Sequence, residues 1–178
     1  MKPPMKPAPP GWPRITSSVY YDDAETAIDW LCNAFGFMVR IKVAGPDGSI
    51  VHSELEYGDG LIMVGQTGKD DESKGTYQAC QVSPAAIDQR NTQSLCVFVD
   101  DADAHCERAR TAGARIYREP ETTDYGEKYW TDRTYGARDP EGHMWWFVQR
   151  LRTPGESALD GAGEHGTEQG AGDGHQSV

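Results

Sequence analysis

The chain has 178 residues, enough for one ordinary domain or two small related halves with a real core. Its 28 acidic against 17 basic side chains give a net charge of −11, which argues against nucleic acid or an anionic membrane as partner, since both call for a basic surface. Five of the acids, Glu156, Asp160, Glu164, Glu168 and Asp173, follow Arg152 in a stretch without Lys or Arg.

Residues 1–13 carry Pro3, Pro4, Pro7, Pro9, Pro10 and Pro13 and read as an extended arm, with Trp12 able to pin its end. They contain no apolar run of signal-peptide or membrane-span length. Residues 14–21 are strand-like and run into Asp22-Asp23, a cap for a helix over 24–35, where Ala27, Ile28, Leu31 and Phe35 recur at helical spacing and Gly36 stops it. Residues 37–44 alternate as a strand, Gly45-Pro46-Asp47-Gly48 is a turn, and 50–57 is the second strand of a hairpin. Gly58-Asp59-Gly60 then turns the chain into a strand over 61–66. Residues 67–92 are polar and poor in periodicity, and read as a linker with one short helical turn near Pro84.

The pattern then repeats. Residues 94–99 form a strand, Asp100-Asp101 caps a helix over 102–112, and Gly113 ends it. Strands follow from Arg115 to Glu119 and from Thr134 to Arg138. The last strand begins after Asp139-Pro140-Glu141-Gly142, a turn in which the proline presets the bend and the glycine releases it. Met144-Trp145-Trp146-Phe147-Val148 is bulky and apolar on both faces, so this strand is interior. Beyond Arg152, residues 153–178 lack aromatics and periodicity and are expected to be disordered. Cys32, Cys80, Cys96 and Cys106 show no C-x-x-C pairing and read as free thiols of a cytoplasmic protein.

Strand, helix and three strands, written twice, with Val99-Asp100-Asp101, Ala112-Gly113-Ala114 and Asp139-Pro140-Glu141-Gly142 in the second copy, resemble the vicinal oxygen chelate superfamily of glyoxalases, bleomycin resistance proteins and extradiol dioxygenases. Residues 133–140, Arg-Thr-Tyr-Gly-Ala-Arg-Asp-Pro, are most similar to its bleomycin-resistance-like branch. The implied fold is α+β, with paired βαβββ modules (14–66 and 93–152) in one domain over 14–152. Each curled sheet then lends its concave face to a cupped cavity and its convex face to a helix. Alternation sends Ile15, Ser17, Val19, Tyr21, Ile62, Val64, Leu95, Val97 and Val99 toward the helices. It leaves Thr16, Ser18, Tyr20, Leu61, Met63, Ser94, Cys96 and Phe98 for the cavity.

The resemblance locates the His, Gln or Glu ligands of metal-using members at four strand positions, held here by Thr16, Met63, Ser94 and Trp146. A hydroxyl, a thioether, a hydroxyl and an indole do not make a first-row metal site, so no cofactor is expected there. His52, Glu54 and Glu56, spaced by two, share one face of their strand. They make either a hydrated polar wall or a recognition site, in which paired carboxylates attract a cation or His52 serves as general base. A divalent metal held by these three is the alternative, although ligands in a row along one strand converge poorly.

Tyr125, Tyr129, Trp130, Tyr135, Trp145 and Trp146 crowd the second module, and packing claims many of them. Trp145 is assigned to the core and Trp146 to the cavity. The expected ligand site combines Thr16, Ser18, Tyr20, His52, Glu54, Met63, Ser94, Cys96, Phe98, Trp130 and Trp146, with His52 and Glu54 as catalytic candidates. His143 reads as a turn residue, His105 as an exposed helix residue, and Arg133 as an anion contact or an anchor for an acid in the cup. The function expected is a metal-independent, homodimeric protein that sequesters an aromatic or cationic small molecule, as in antibiotic resistance. An enzyme of the same fold (lyase, isomerase or glyoxalase-like) acting through His52, Glu54 and Glu56 is the second expectation. A regulatory domain with a filled cup is the third.

Overall fold

Two aspartates start the two helices. The side chain of Asp23 accepts a hydrogen bond from the Thr26 amide and opens α1 (Ala24–Phe35), and Asp101 does the same for Ala104 at the start of α2 (Ala102–Thr111). Gly36, in the left-handed conformation, returns its N–H to the Cys32 carbonyl and stops α1. The computed structural model describes residues 5–68 and 80–155. The expected 153–178 tail therefore lies largely outside the described residues, as do 69–79 of the linker and 1–4 of the arm.

Around α1 stand β1 (Ser17–Tyr21), β2 (Met38–Ala44), β3 (Ile50–Tyr57) and β4 (Gly60–Gln66), in the sheet order β1-β4-β3-β2. Around α2 stand β5 (Ser94–Phe98), β6 (Arg115–Asp124), β7 (Thr131–Arg138) and β8 (Met144–Arg152), in the order β5-β8-β7-β6. The first strand of each module pairs in parallel with its last, and the remaining pairs are antiparallel. A 3-10 turn at Pro84–Ile87, capped by Ser83, interrupts the linker.

The helix-covered sides of both sheets share one core. Phe35, the last residue of α1, packs on Phe147 and Trp145 of β8 at ring-centroid distances of 4.7 and 5.3 Å. The Asp139 turn ties the modules a second time. Its Oδ1 accepts from the amides of Gly142 and His143, while its Oδ2 accepts from the Tyr21 hydroxyl (2.6 Å) and the Trp145 indole (3.0 Å). Burial, and the Asp139 charge next, push the Tyr21 pKa well up. Glu141 accepts from the amides of Asp22 (2.8 Å) and Asp23 (3.1 Å), adding negative charge at the start of α1. His143 donates from Nε2 to the Tyr20 carbonyl at 2.9 Å.

Several expectations need correction. Ile15 is 87% exposed instead of covered, because β1 pairs only from Ser17 onward, where Ser17 faces Ile62. β6 runs through Pro120 to Asp124; it is an edge strand with register shifts on either side of Arg118, which accommodates a residue lacking an N–H. β7 starts three residues earlier than expected, at Thr131. His105 is buried: its Nε2–H donates to the Phe35 carbonyl at 3.0 Å and its Nδ1 accepts from the Tyr135 hydroxyl at 2.5 Å. Desolvation lowers its pKa to about 4, so it sits neutral between the modules. Arg133 is not in the cup but on the helix side, where it forks onto Asp103 of α2, lowering that carboxylate's pKa while its own rises.

Candidate functional site

The concave face of the first module is set by register. Ser18 lies beside Met63, and Met63 beside Glu54, so β1, β4 and β3 aim these three side chains to the same side. Tyr20, two residues on, lies flat over Gly65, where an added Cβ would come within 2.9 Å of its ring. Its hydroxyl accepts from Gln81 Nε2 at 2.9 Å. Ser18, Tyr20, His52 and Met63 line an open cleft of about 620 Å³, together with the β2–β3 turn around Pro46 and with Gln66 and Gln81.

Glu54 sits beneath this cleft with its side chain 2% exposed. His52 Nε2–H donates to its Oε1 at 2.9 Å, and Arg40 Nε stands 3.5 Å from Oε2, which has no hydrogen-bond partner among the described residues. Arg40 in turn donates to the Gly11 carbonyl at 2.5 Å and lies under the Trp12 ring at 4.9 Å. The Pro-rich arm thus folds back over the first module, forming with Arg40, Glu56 and Leu61 a second cleft of about 460 Å³. The expected carboxylate pair is divided: Glu54 is matched by Arg40 and His52, while Glu56 faces the arm.

In the second module, Ser94, Cys96 and Phe98 lie beside Met144, Trp146 and Val148, and Leu95 and Val97 beside Trp145 and Phe147. Trp145 and Phe147 are fully buried and Trp146 is half-buried, so the two indoles lie on opposite faces of β8. Gly136 pairs with Trp146, and the Tyr117 ring lies over Gly136, where a Cβ would stand only 2.4 Å from it. Tyr117 meets Trp146 edge-on with centroids 5.4 Å apart, and its hydroxyl donates to the Trp145 carbonyl. Trp130 lies at the outer end of this face, with Arg150 between it and Phe98. Phe98 itself is 56% exposed.

The predicted residues therefore fall into separate groups. Ser18, Tyr20, His52 and Met63 share one cleft, with Glu54 below it; Thr16 precedes β1, outside that lining. Ser94, Cys96 and Phe98 line a groove of about 380 Å³ between the modules with Ser17, Phe37, Tyr57 and Ile62. Trp146 belongs to the second module's concave face, and Trp130 stands at its outer end against Arg150. None of these clefts brings Trp146 against Met63, because both sheets turn their helix sides to the common core. Arg40, Gln81, Tyr117 and Arg118 escaped sequence reasoning. For Tyr117 a signal exists in retrospect, since a glycine inside the otherwise bulky β7 marks a close approach.

Of the four positions that the resemblance gives to metal ligands, Met63 lies beside Ser18 and Trp146 beside Cys96, while Thr16 precedes β1 and Ser94 lies beside Met144. Among the described residues no three His, Cys, Asp or Glu side chains converge as a metal site.

Tandem βαβββ modules, each closing its first strand in parallel on its last, define a vicinal oxygen chelate fold. Residues 14–147 match the Glyoxalase/Bleomycin resistance protein/Dioxygenase superfamily, and the chain belongs to it. It is similar to TioX from Micromonospora sp. ML1, at 30% identity over 77% of this chain and 98% of that one, with a TM-score of 0.56. It also resembles an uncharacterized protein of Mycobacterium tuberculosis, at 28% identity over 79% of this chain and 76% of that one. TnmS3, an antibiotic binding protein from Streptomyces sp. CB03234, shares the fold at 19% identity over 76% of this chain and 93% of that one, with a TM-score of 0.52.

Proposed function

We propose that the chain is a metal-independent binding protein that sequesters a planar aromatic small molecule, in the manner of an antibiotic-resistance protein. The observation that carries this is the side-chain chemistry at the four positions the resemblance gives to metal ligands, Thr16, Met63, Ser94 and Trp146, none of them an imidazole or a carboxylate, with Met63 set beside Ser18 and Trp146 beside Cys96. The antibiotic-binding neighbour and the half-buried Tyr117–Trp146 wall support it. Each cup is completed by a second copy of the chain, which supplies the facing module; Met38, Val39, Ile41 and Val43 on the sheet-edge strand β2 are exposed and apolar, as such an interface requires. The protein works in the cytoplasm, a reading supported by the absence of C-x-x-C spacing among Cys32, Cys80, Cys96 and Cys106. No helix among the described residues is long and apolar enough to cross a membrane.

Titration with a panel of planar aromatic compounds, antibiotics included, produces saturable quenching of tryptophan fluorescence; no saturation with any of them overturns the proposal. Stoichiometric zinc, nickel, manganese or iron in protein purified without chelator removes metal independence. The mass in solution tests the dimer.

The 2.9 Å contact between His52 and the buried Glu54, opening on the 620 Å³ cleft, favours a second reading: a lyase or isomerase with His52 as base, oriented by Glu54. Under it, turnover is abolished by His52→Ala while aromatic binding at Trp146 is untouched.

A further inference from the structure

The second module's concave face specifies charge as well as shape, and the argument rests on the binding reading above. Its aromatic rings already face guanidinium groups. Arg118 lies 5.7 Å from the Trp146 ring, and Arg150 lies 5.4 Å from Phe98 and 5.1 Å from Trp130. Strand register adds Arg138 to the same face, beside Met144, with Arg115 opposite it. Arg138 donates to the carbonyls of Gln89 (2.8 Å) and Gly142 (3.3 Å) and has no carboxylate partner among the described residues. Burial raises the Tyr117 pKa, and the positive charges of Arg138 and Arg118 work against that rise.

Two acids share the face. Asp132 is buried and committed to Arg150 at 2.5 Å. Glu121 is exposed and stands 3.0 Å from Arg118, which is exposed too; a pair of this kind contributes little and yields readily to a competing anion. In a chain of net charge −11, the face around Trp146 is therefore locally positive.

We infer that this face binds planar aromatic compounds bearing a carboxylate or comparable anionic group, and discriminates against cations. The ring system packs on Trp146 and Tyr117. Its acid replaces Glu121 on the Arg118 fork or reaches Arg138, both of which present paired N–H donors in a carboxylate's geometry. A cationic ring in the same place meets like-charge repulsion from Arg118, Arg138 and Arg150. This narrows the expected class, which covered aromatic and cationic compounds alike.

The test is isothermal titration calorimetry of the full chain with three probes of one shape: anthracene carboxylate, anthracene carboxamide and aminomethyl-anthracene. The carboxylate binds tighter than the carboxamide by at least roughly tenfold, the cation binds weakest, and the margin shrinks as salt rises. Arg118→Gln removes most of that margin and Arg118→Lys retains part of it, without a change in melting temperature, since Arg118 is at the surface. Equal or tighter binding of the cation overturns the inference. So does a margin insensitive to both Arg118→Gln and Arg138→Gln. If all three probes bind alike, charge selection fails and the binding function stands; if none binds, the inference fails and the wider panel above decides the binding function.

Discussion

The centre of the first module's concave face is a buried glutamate with an arginine leaning over it; the centre of the second is an indole rimmed by arginines. Both faces hang on the same frame, a first strand parallel to a fourth, and both lay a tyrosine ring flat on a strand glycine, Tyr20 on Gly65 and Tyr117 on Gly136. One module contributes a polar cleft with a buried glutamate beneath it, the other an aromatic wall. A duplicated frame thus preserves register while the concave side chains at matching positions diverge, because register is set by the turns and by the apolar pattern of the helix-covered face.

The comparison is broken most severely at the joint the modules share. Asp139→Ala strands the Tyr21 hydroxyl and the Trp145 indole in the interior, and is expected to cost roughly 4 kcal/mol in urea unfolding. A loss below about 1 kcal/mol would show that the modules are held by apolar contact alone.

The second joint is His105, bonded to Phe35 of the first module and Tyr135 of the second. Its folded pKa of about 4 lies below the ordinary 6.5, so protons favour the unfolded chain. Stability is complete above the ordinary value and falls as pH drops toward the folded one, by up to about 3 kcal/mol across that window. Urea midpoints measured through the window test this, and His105→Gln flattens the part of the slope that exceeds ordinary carboxylate titration.

Within the modules, Gly136→Ala is expected to cost roughly 2 kcal/mol and to lift Tyr117 from Trp146, because the added methyl meets the ring at 2.4 Å. Gly65→Ala costs less, its closest approach being 2.9 Å. Equal losses would mean that the second module's aromatic stack is no tighter than the first's single ring. The smallest effect is Trp12→Ala, about 0.5–1 kcal/mol, which removes the ring from Arg40. A null result in thermal melting would show the arm draped without being anchored.

Much of the frame was legible from the chain alone, for a local reason. Asp23 and Asp101 cap helices, Gly36 ends one, and the Asp-Pro-Glu-Gly turn opens β8, all through interactions spanning a few residues. Alternation along β5 and β8 was enough to separate Ser94, Cys96, Phe98 and Trp146 from Leu95 and Trp145, because the strand period is two wherever the strand is regular. It misled at Ile15, which precedes the paired segment, and could not see Tyr117, displaced by the β6 register shift.

What only the tertiary structure decided was partnership between distant residues. Nothing near His105 in sequence announces Phe35 or Tyr135 as its partners, and nothing near Glu54 announces Arg40 and the arm behind it. The division of the expected site into a polar cleft and an aromatic, arginine-rimmed wall belongs to the same category. Faces within a strand follow from its own residues, whereas which faces meet follows from how two sheets pack on one core.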